Sequence, residues 1–429
     1  MTAVATSLLV VLLAVGLPVG VALGILAVIL GNLYAFISPL PALGDVMWGA
    51  STDFLLTAVP MFILMGEILL RSGAASRMYE AVDPWVSRIP GGLMHTNIAS
   101  CALFAATSGS SVATAATIST LAVPSMRRYG YNPPLFLGSL AAGGTLGILI
   151  PPSINMIIYG VLADVSVSDL YLAGVIPGLA MAGLFSLVVL ALCLARPGLA
   201  GERRDRQPAS LRGLSGLLPI LFLFALVVGS IYAGLATPTE AAALGLIGAL
   251  VIAMGRRQLS WALLRGAFEG TARTTAMVMF IVLAAYFLNF VMVNIGLTTA
   301  VTALVADLQV PPLVVLLAIV VLYLVLGCFM DTLSMMIATT PIVVPIVVQA
   351  GFDPLWFGIV FVILIEAALI TPPVGMNLFI VQSVRGEGVF RDVVIGSLPF
   401  LAMMLVMIGL LVIWPGLALW LPSLWKGSA

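Results

Sequence analysis

One apolar pattern, broken by glycine and proline, occurs twice in this sequence and restricts the possible folds more than any other feature. Residues 108–153 and 329–374 carry the two copies, which align without a gap. Pro124 matches Pro345 at a spacing of 221 positions (345 − 124), and the Pro-Pro pairs that begin at 151 and 372 have the same spacing. Paired apolar segments interrupted in this way indicate a secondary transporter whose site lies between two repeats.

The composition indicates a membrane protein. Charged residues make up 8% and hydrophobic residues 62% of the 429 positions, and the mean hydropathy is +1.23. A soluble domain carries about 25% charged residues, so we predict an all-α polytopic membrane protein. The net charge of zero gives no indication of a nucleic-acid partner. The sequence has no GxxxxGK(S/T) loop, which argues against an ATP-driven pump.

Runs of about 20 apolar residues predict ten membrane crossings. The first run has neither a basic start nor a small-residue cleavage site, so we expect a span and not a removed signal peptide. Two further stretches, about 92–126 and about 313–349, are interrupted midway by small polar residues and are predicted to be re-entrant helical hairpins. The crossings are expected near 2–16, 18–37, 52–70, 132–163, 169–195, 215–235, 238–256, 272–295, 354–384 and 394–421. Amphipathic surface segments, with plain loops as the alternative, are expected at 38–51, 74–88, 257–271 and 297–309.

Basic residues give the predicted orientation, because cytoplasmic loops are enriched in Lys and Arg. Placing the Arg-rich segment 196–214 in the cytoplasm puts fifteen of the seventeen basic residues on that side. Each half then has five crossings and one hairpin, and the odd number of crossings inverts the second half. We therefore predict two inverted repeats, 1–195 and 215–429, joined by a cytoplasmic linker, with both termini in the periplasm. Their broken helices are about 132–163 and about 354–384.

Two tips and two helix breaks contain the candidate binding residues. The first tip (residues 107–111) and the second tip (residues 330–334) carry small and hydroxyl residues, which let backbone amides and oxygens approach a ligand. The first break (residues 143–153) and the second break (residues 371–377) cannot stay regular helices, because each contains two prolines. Oxygen atoms at such breaks suit Na⁺, and a helix N-terminus suits an anion. Helix packing by small residues and simple proline kinks are the alternatives.

These segments predict two Na⁺ sites, one in each half, and a substrate site beside them. Asp331 is a functional candidate because it is ionisable within an apolar segment. The residues predicted for the first Na⁺ site are Ser108, Gly109, Ser110, Ser111, Gly144, Thr145, Gly147, Pro151 and Ser153. Those predicted for the second Na⁺ site are Asp331, Thr332, Ser334, Thr371, Pro372, Gly375 and Asn377. The residues predicted to bind the substrate are Ser110, Ser111, Thr145, Asn155, Asp331, Thr332 and Asn377.

Several other polar residues in apolar segments are expected to have structural roles. Glu67 is predicted to pair with Arg71 one turn later, and Glu366 is predicted to steady the second break. His95 is expected to be a packed or solvated histidine and not a proton relay. Buried thiols, and not disulfides or metal ligands, are predicted for Cys101, Cys193 and Cys328.

Six stretches of the sequence carry a resemblance to a known family. They are PMFILMGEILLRSG from Pro60, IPGGLMHTNIASCALFAATSGSSVATAA from Ile89, GTLGILIPPS from Gly144, YAGLATPTEAAALG from Tyr232, MDTLSMMIATTPIVVPI from Met330, and GFDP with ITPPVGMNLFIV after it. Together they resemble the large membrane subunit of tripartite ATP-independent periplasmic (TRAP) transporters of the dicarboxylate type, over nearly the whole chain.

The resemblance implies an elevator-type transporter of the ion-transporter superfamily in a bacterial inner membrane. It implies Na⁺-coupled uptake of an organic acid, such as a C4-dicarboxylate or sialic acid, with no cofactor beyond the coupling ion. It also implies a periplasmic binding protein and a small four-helix membrane subunit as partners. No extra four-helix segment precedes the first span, so a separate small subunit is expected. Ala368 departs from the family pattern, in which glycine is expected near the second break.

Other functional classes fit the sequence less well. An autonomous Na⁺/anion symporter of the same superfamily would need no binding protein, and the long motif match argues against it. An intramembrane serine protease would need His95 as the base for Ser108 or Ser110, but this single histidine is predicted near the membrane surface. We therefore expect no enzymatic activity. A channel is disfavoured because inverted repeats with broken helices suit alternating access.

Overall fold

The described part of the chain is helical throughout its regular structure. The computed structural model describes residues 1–201, 213–297, 299–300, 303, 310–327, 330–373 and 375–427, and no β-strand occurs within these ranges. Residues 202–212 of the predicted linker, most of the predicted segment 297–309, and Cys328 lie outside them. The first ten helices are α1 (Thr2–Ala14), α2 (Val19–Tyr34), α3 (Leu43–Ser51), α4 (Ala58–Arg71), α5 (Ala74–Val86), α6 (Leu93–Ser108), α7 (Ser111–Arg128), α8 (Pro133–Leu149), α9 (Ile154–Ala163) and α10 (Val167–Ala195). The later helices are α11 (Leu218–Tyr232), α12 (Pro238–Gly255), α13 (Trp261–Asn294), α14 (Pro312–Leu326), α15 (Thr332–Gln349), α16 (Pro354–Leu369), α17 (Met376–Arg385), α18 (Phe390–Ile413) and α19 (Gly416–Gly427).

Several helices have the length and composition of membrane spans. Five described helices, α10, α12, α13, α15 and α18, are long and apolar enough to cross a bilayer. The number rises to seven if each of two bent pairs counts as one span: Leu40–Ser51 with Leu55–Arg71, at 61°, and α8 with α9, at 46°. Shorter apolar helices of 10–17 residues, among them α2, α11, α14 and α16, accompany these spans. The prediction of an all-α polytopic membrane protein is confirmed at this level.

Two predicted helix boundaries are wrong. The segment 257–271 and the crossing 272–295 are not separate, because α13 continues through both over 34 residues. At 1.5 Å per residue, α13 is roughly 50 Å long and exceeds a hydrocarbon core of about 30 Å. The last predicted crossing, 394–421, is divided between α18 and α19. Trp414 lies between them with φ −127° and ψ 79°, and the proline that follows it disfavours helical backbone at this position.

Each predicted hairpin consists of two described helices. In the first, α6 and α7 contact each other and are joined by Gly109 (φ +57°) and Ser110. In the second, α14 and α15 contact each other, and their connection includes positions 328 and 329, which lie outside the described residues. The re-entrant placement of both hairpins in the membrane stays a prediction.

The two broken helices lie at the centre of the molecule. All residues of α8 from Leu135 to Leu149 and of α16 from Trp356 to Leu369 are buried, and the two helices contact each other. Helices α6, α7 and α18 contact α8, whereas α10, α14, α15 and α18 contact α16. On another side, α13 contacts α2 and α4, and α12 contacts α4 and α11. Because α8 is enclosed and residues 150–153 are buried, the first break is held within protein, as irregular backbone at membrane depth requires, whereas Pro373 of the second break is exposed.

Glycines permit direct backbone contact at two helix crossings. A Cβ atom on Gly396 of α18 would lie 1.7 Å from the carbonyl oxygen of Pro134, so only glycine fits against α8 at this crossing. A Cβ atom on Gly327, just after α14, would lie 2.1 Å from the Cβ atom of Ala368. The neighbouring helix therefore makes room for the methyl group of Ala368, and α16 remains helical up to Leu369.

Candidate substrate and cation site

A cavity of about 530 Å³ lies between the two tips. This volume falls within the roughly 300–1,000 Å³ of small-molecule sites. The two tips are distant in sequence, yet both contribute to its wall, together with Asn155 of α9. Residues of α4 and α13 also line the cavity. The residues that argue for a polar ligand are Glu67, Ser108, Ser110, Ser111, Asn155, Thr274, Asp331 and Thr332.

The first tip is organised by its own hydroxyl groups. Ser110 is the N-cap of α7 and its side chain accepts a hydrogen bond from the Ala113 amide at 3.4 Å. The hydroxyls of Ser108 and Thr114 lie 2.8 Å apart, and Thr114 also donates to the Ser110 carbonyl at 2.8 Å. These bonds fix the start of α7, whose first amides carry the positive end of the helix dipole. The predicted first tip therefore forms part of the cavity wall.

Gly109 brings the first tip against the first break. Its φ of +57° is in the left-handed region, and a Cβ atom there would lie 3.2 Å from the Pro152 carbonyl oxygen. A Cβ atom on Gly147 of α8 would lie 2.8 Å from the Ser110 carbonyl oxygen. The first tip thus rests on the backbone of the first break, as the predicted grouping of these residues requires.

The second tip places a carboxylate in the cavity wall. Asp331 is the N-cap of α15 and its Oδ2 accepts a hydrogen bond from the Ser334 amide at 3.1 Å. Thr332 also lines the cavity, whereas Ser334 is buried and does not. Among the described residues no Lys, Arg or His forms an ion pair with Asp331. An unpaired carboxylate beside hydroxyl oxygens is a suitable environment for a hard cation.

The other predicted site residues do not line the cavity. Thr145 donates to the Ala142 carbonyl at 2.6 Å, and Thr371 donates to the Ala367 carbonyl at 2.7 Å, so both hydroxyls bond to their own helices. Ser153 caps α9 by accepting from the Met156 amide at 3.4 Å. The predicted residues that do not line the cavity are Gly144, Thr145, Gly147, Pro151, Ser153, Ser334, Thr371, Pro372, Gly375 and Asn377.

Asn377 joins the second break to the first half of the chain. Its Nδ2 donates to the Ala141 carbonyl of α8 at 3.2 Å, and a Cβ atom on Gly144 would lie 3.2 Å from the same nitrogen. The Oδ1 atom of Asn377 is buried and has no hydrogen-bond partner. The second break is therefore anchored on α8, and an acceptor atom is left available there.

Asn155 is the one predicted substrate residue outside the tips that lines the cavity. It is 1% exposed, and its Nδ2 atom is buried without a hydrogen-bond partner. Buried polar atoms are nearly always hydrogen-bonded in folded proteins. An amide donor in this position is suited to an anionic oxygen of a ligand.

Residues of α4 and α13 were not predicted as part of this site. Gly66 approaches the first tip so closely that a Cβ atom on it would lie 3.2 Å from the Ser108 carbonyl oxygen. Thr274 and Met277 of α13 also line the cavity. The stretch that contains Gly66 carries the family resemblance, but no local pattern in the sequence indicates that it meets the first tip.

Three structural predictions near the site are confirmed. Glu67 Oε2 and Arg71 Nε form an ion pair at 3.0 Å, one helical turn apart. His95 is 1% exposed, and its Nε2 lies 2.8 Å from the Pro90 carbonyl oxygen, so it is packed into the protein. Cys101 and Cys193 are buried free thiols. Because Glu67 is paired with Arg71, Asp331 is the carboxylate without an ion-pair partner among the described residues of the cavity wall.

Comparison with known proteins identifies the family. Residues 6–417 match the family described as "Tripartite ATP-independent periplasmic transporter, DctM component". The C4-dicarboxylate TRAP transporter large permease protein DctM of Pseudomonas aeruginosa is 33% identical over 387 residues, which cover 89% of each chain. The sialic acid TRAP transporter large permease protein SiaM of Vibrio cholerae is 32% identical over 388 residues, again 89% of each chain.

A solved structure supports the fold. The YdaH transporter of Alcanivorax borkumensis superposes with a TM-score of 0.67 at 17% identity and covers 97% of this chain and 99% of its own. The two relatives described above are named as permease components of transporters, so the expectation that this chain is not an enzyme is confirmed. The chain belongs to the DctM component family of tripartite ATP-independent periplasmic transporters.

Proposed function

We propose that this chain carries out Na⁺-coupled uptake of an organic acid across the bacterial inner membrane, as the large permease of a three-part transporter. The observation that carries the proposal is the cavity that both tips line, with Asp331 in its wall. Na⁺ is the proposed coupling ion because carboxylate, hydroxyl and carbonyl oxygens converge there without a described counter-cation. A multi-pass helical chain of a transporter family fits this role.

The two Na⁺ sites are proposed at the junctions of tip and break. In the first half, Ser110 and Gly147 lie in contact, which brings the carbonyl and hydroxyl oxygens of the first tip beside the first break. In the second half, Asp331 supplies a carboxylate and Asn377 supplies a free Oδ1 atom. The remaining residues predicted for each site stay part of this proposal.

The proposed substrate is a carboxylate because the cavity offers donors to an anion. The Nδ2 atom of Asn155 is free, and the N-terminal amides of α7 and α15 begin at the two tips. Helix N-termini bind carboxylates through free N–H groups and the helix dipole. The names of two relatives, a C4-dicarboxylate permease and a sialic acid permease, also point to carboxylate substrates.

Alternating access is proposed to occur by an elevator movement of inverted repeats. Helices α6–α9 and α14–α17 would move together with the tips, against a scaffold that includes α4 and α13. The cavity is consistent with this division, because residues of both tips and residues of α4 and α13 line it together. Transport is largely rigid-body movement of one bundle against another in such folds.

Reconstitution tests the coupling and the partners together. The chain would be placed in vesicles with its cognate small membrane subunit, and its periplasmic binding protein would be added outside with a labelled C4-dicarboxylate or sialic acid. We expect accumulation only with an inward Na⁺ gradient and all three components. Saturable Na⁺-dependent uptake by the chain alone would instead support an autonomous symporter.

A crosslink across the cavity tests the elevator movement. Cysteines would replace Ser110 of the first tip and Thr274 of α13 in a background without native cysteines, and a flexible reagent would join them. Both positions line the same cavity. We expect the crosslink to abolish uptake and to leave binding of the labelled acid largely intact. Uptake at the rate of the uncrosslinked protein would contradict movement between these helices.

A further inference from the structure

Helices α11 and α12 pack against each other in antiparallel directions. The two helices are in contact. A Cβ atom on Gly245 would lie 2.7 Å from the Cγ2 atom of Val227. Three residues later in α12, a Cβ atom on Gly248 would lie 2.7 Å from the Cδ2 atom of Leu223, which is four residues earlier in α11. This register brings the end of α12 beside the residues that precede α11, on the side of the membrane predicted to be cytoplasmic.

Two arginines come together at this junction. Arg256 follows α12, eight positions after Gly248 (256 − 248). Gly216 precedes α11, seven positions before Leu223 (223 − 216), so it lies level with Arg256. A Cβ atom on Gly216 would lie 2.7 Å from the carbonyl oxygen of Arg77, so α5 packs against the same residues. The positive charges of Arg77 and Arg256 are close enough to repel each other.

The described residues supply no counter-charge to this pair. Arg77 and Arg256 form no ion pair with any of them, although Glu80 follows Arg77 by one turn of α5. Arg256 is half-buried, and its Nη1 atom is buried without a hydrogen-bond partner. Two like charges are disfavoured, and a buried N–H group without a partner adds to the cost. An anion that accepts from both guanidinium groups would compensate for both.

The surface beside the two arginines indicates which anion binds there. Leu218 and Phe222 of α11 and Val251 and Met254 of α12 are exposed hydrophobic side chains. Acyl chains pack against such a surface, whereas a small soluble anion makes no use of it. Guanidinium groups bind phosphate oxygens through paired N–H donors, and basic pockets between membrane helices on the cytoplasmic side bind anionic headgroups. These features match a phospholipid with a net negative charge.

We propose that Arg77 and Arg256 form a binding site for the phosphate group of an anionic phospholipid at the junction of α5, α11 and α12. The phosphate neutralises the two charges and gives the buried Nη1 atom of Arg256 an acceptor, and the acyl chains lie along α11 and α12. Because α12 contacts α4, the lipid stabilises the proposed scaffold. No residue of this site lines the cavity between the tips, and the site does not depend on which solute is transported.

Native mass spectrometry of the purified full chain in detergent tests the proposal, with phosphatidylglycerol and phosphatidylcholine of equal chain length as probes. Both lipids carry a phosphate, but only phosphatidylglycerol has a net charge, so the wild type should bind it more tightly. Arg256→Gln should bind phosphatidylglycerol about tenfold more weakly, because a charged hydrogen-bonding group is lost. The control Arg391→Gln removes an exposed arginine of α18 and should leave the affinity unchanged. Equal affinity of the wild type for both lipids, or unchanged affinity in Arg256→Gln, would overturn the proposal.

A second variant keeps the test decisive if Arg256→Gln does not fold. Arg77 is exposed, so Arg77→Gln should fold and should also bind phosphatidylglycerol more weakly. Unchanged affinity in this variant would overturn the shared site.

Two further measurements identify the source of the phosphate. Phosphatidylglycerol, and not inorganic phosphate, should raise the unfolding midpoint of the lipid-depleted wild type. An equal rise with inorganic phosphate would overturn a lipid as the source. The preference for phosphatidylglycerol should persist when the small membrane subunit is bound to the chain. Its loss in that complex would overturn a lipid as the occupant of this surface.

Discussion

The two breaks contain the same Pro-Pro pair in opposite surroundings. The end of the first break, from Ile150 to Ser153, is entirely buried, and Ser153 caps the helix that follows. In the second break Pro373 is exposed, and Gly375 (φ +48°) precedes α17 without a side-chain cap. The first break therefore caps the helix that follows it with a side chain, whereas the second break supplies no side-chain cap to α17. Equal sequence patterns have produced one buried break with a capped helix and one partly exposed break without a cap.

The two tips differ in charge and share one cap geometry. Ser110 and Asp331 lie 221 positions apart (331 − 110) and are the N-caps of α7 and α15. Both side chains accept a hydrogen bond from an amide three residues later, at 3.4 Å and 3.1 Å. Both caps line the cavity, and only the second is charged. The difference indicates that the second half supplies the charge that a cation requires.

The largest effect is expected for Asp331→Asn. Asparagine can still cap α15, so the chain should insert and fold. Loss of a charged ligand costs about 2–3 kcal/mol, which corresponds to a roughly 30- to 150-fold higher Na⁺ concentration for half-maximal uptake. Asp353→Asn is the matched control, because Asp353 caps α16 outside the cavity. Wild-type Na⁺ dependence in Asp331→Asn would remove the distinction between the two tips.

Gly147→Ala should disturb the contact between the first tip and the first break. The added methyl group would lie 2.8 Å from the Ser110 carbonyl oxygen and 3.0 Å from the Ser111 Cα atom, both backbone positions. Overpacking of this kind costs about 1–3 kcal/mol, measured as a lower unfolding midpoint in detergent. Gly183→Ala of α10 is the control, since no atom lies within 4 Å of its new methyl group. Equal midpoints for the two variants would contradict the close contact.

Asn155→Ala should weaken binding of the organic acid without changing Na⁺ dependence. Removing a hydrogen bond to a charged group costs about 1.5 kcal/mol, or roughly tenfold in affinity. Met376 lies 221 positions later (376 − 155) and also lines the cavity, but it offers no donor. Met376→Ala should therefore change affinity much less, as measured by calorimetric titration. Equal losses in both variants would mean that the two halves contribute alike.

Ser153→Ala should have the smallest effect of the four. The loss of a helix cap costs about 1 kcal/mol, and Ser166→Ala, which removes the corresponding cap of α10, should cost about the same. Only Ser153→Ala should also raise the Na⁺ concentration for half-maximal uptake, because Ser153 belongs to the first proposed Na⁺ site. Unchanged Na⁺ dependence would assign Ser153 to helix capping alone.

Many features of this protein could be predicted from its sequence because they depend on local chemistry. Apolar runs without charges predict helices that cross a membrane, and the Pro-Pro pairs predict where α8 and α16 end. The ion pair of Glu67 with Arg71 follows from their spacing on one helix face. These features depend on residues within a few positions of one another, so the amino-acid sequence is sufficient to predict them.

Tertiary packing decided which polar atoms meet. Helices α8 and α16 have few polar residues and are buried from Leu135 and Trp356 onward, so their sequences do not indicate which neighbour each face contacts. Only the folded chain places Ser111 on Glu366, Asn377 on α8, and Gly66 against the first tip. It also turns the hydroxyls of Thr145 and Thr371 back to their own helices. The sequence by itself determined the membrane class, the helices and the tips, because those are local; the cavity depends on contacts between distant segments and exists only in the assembled fold.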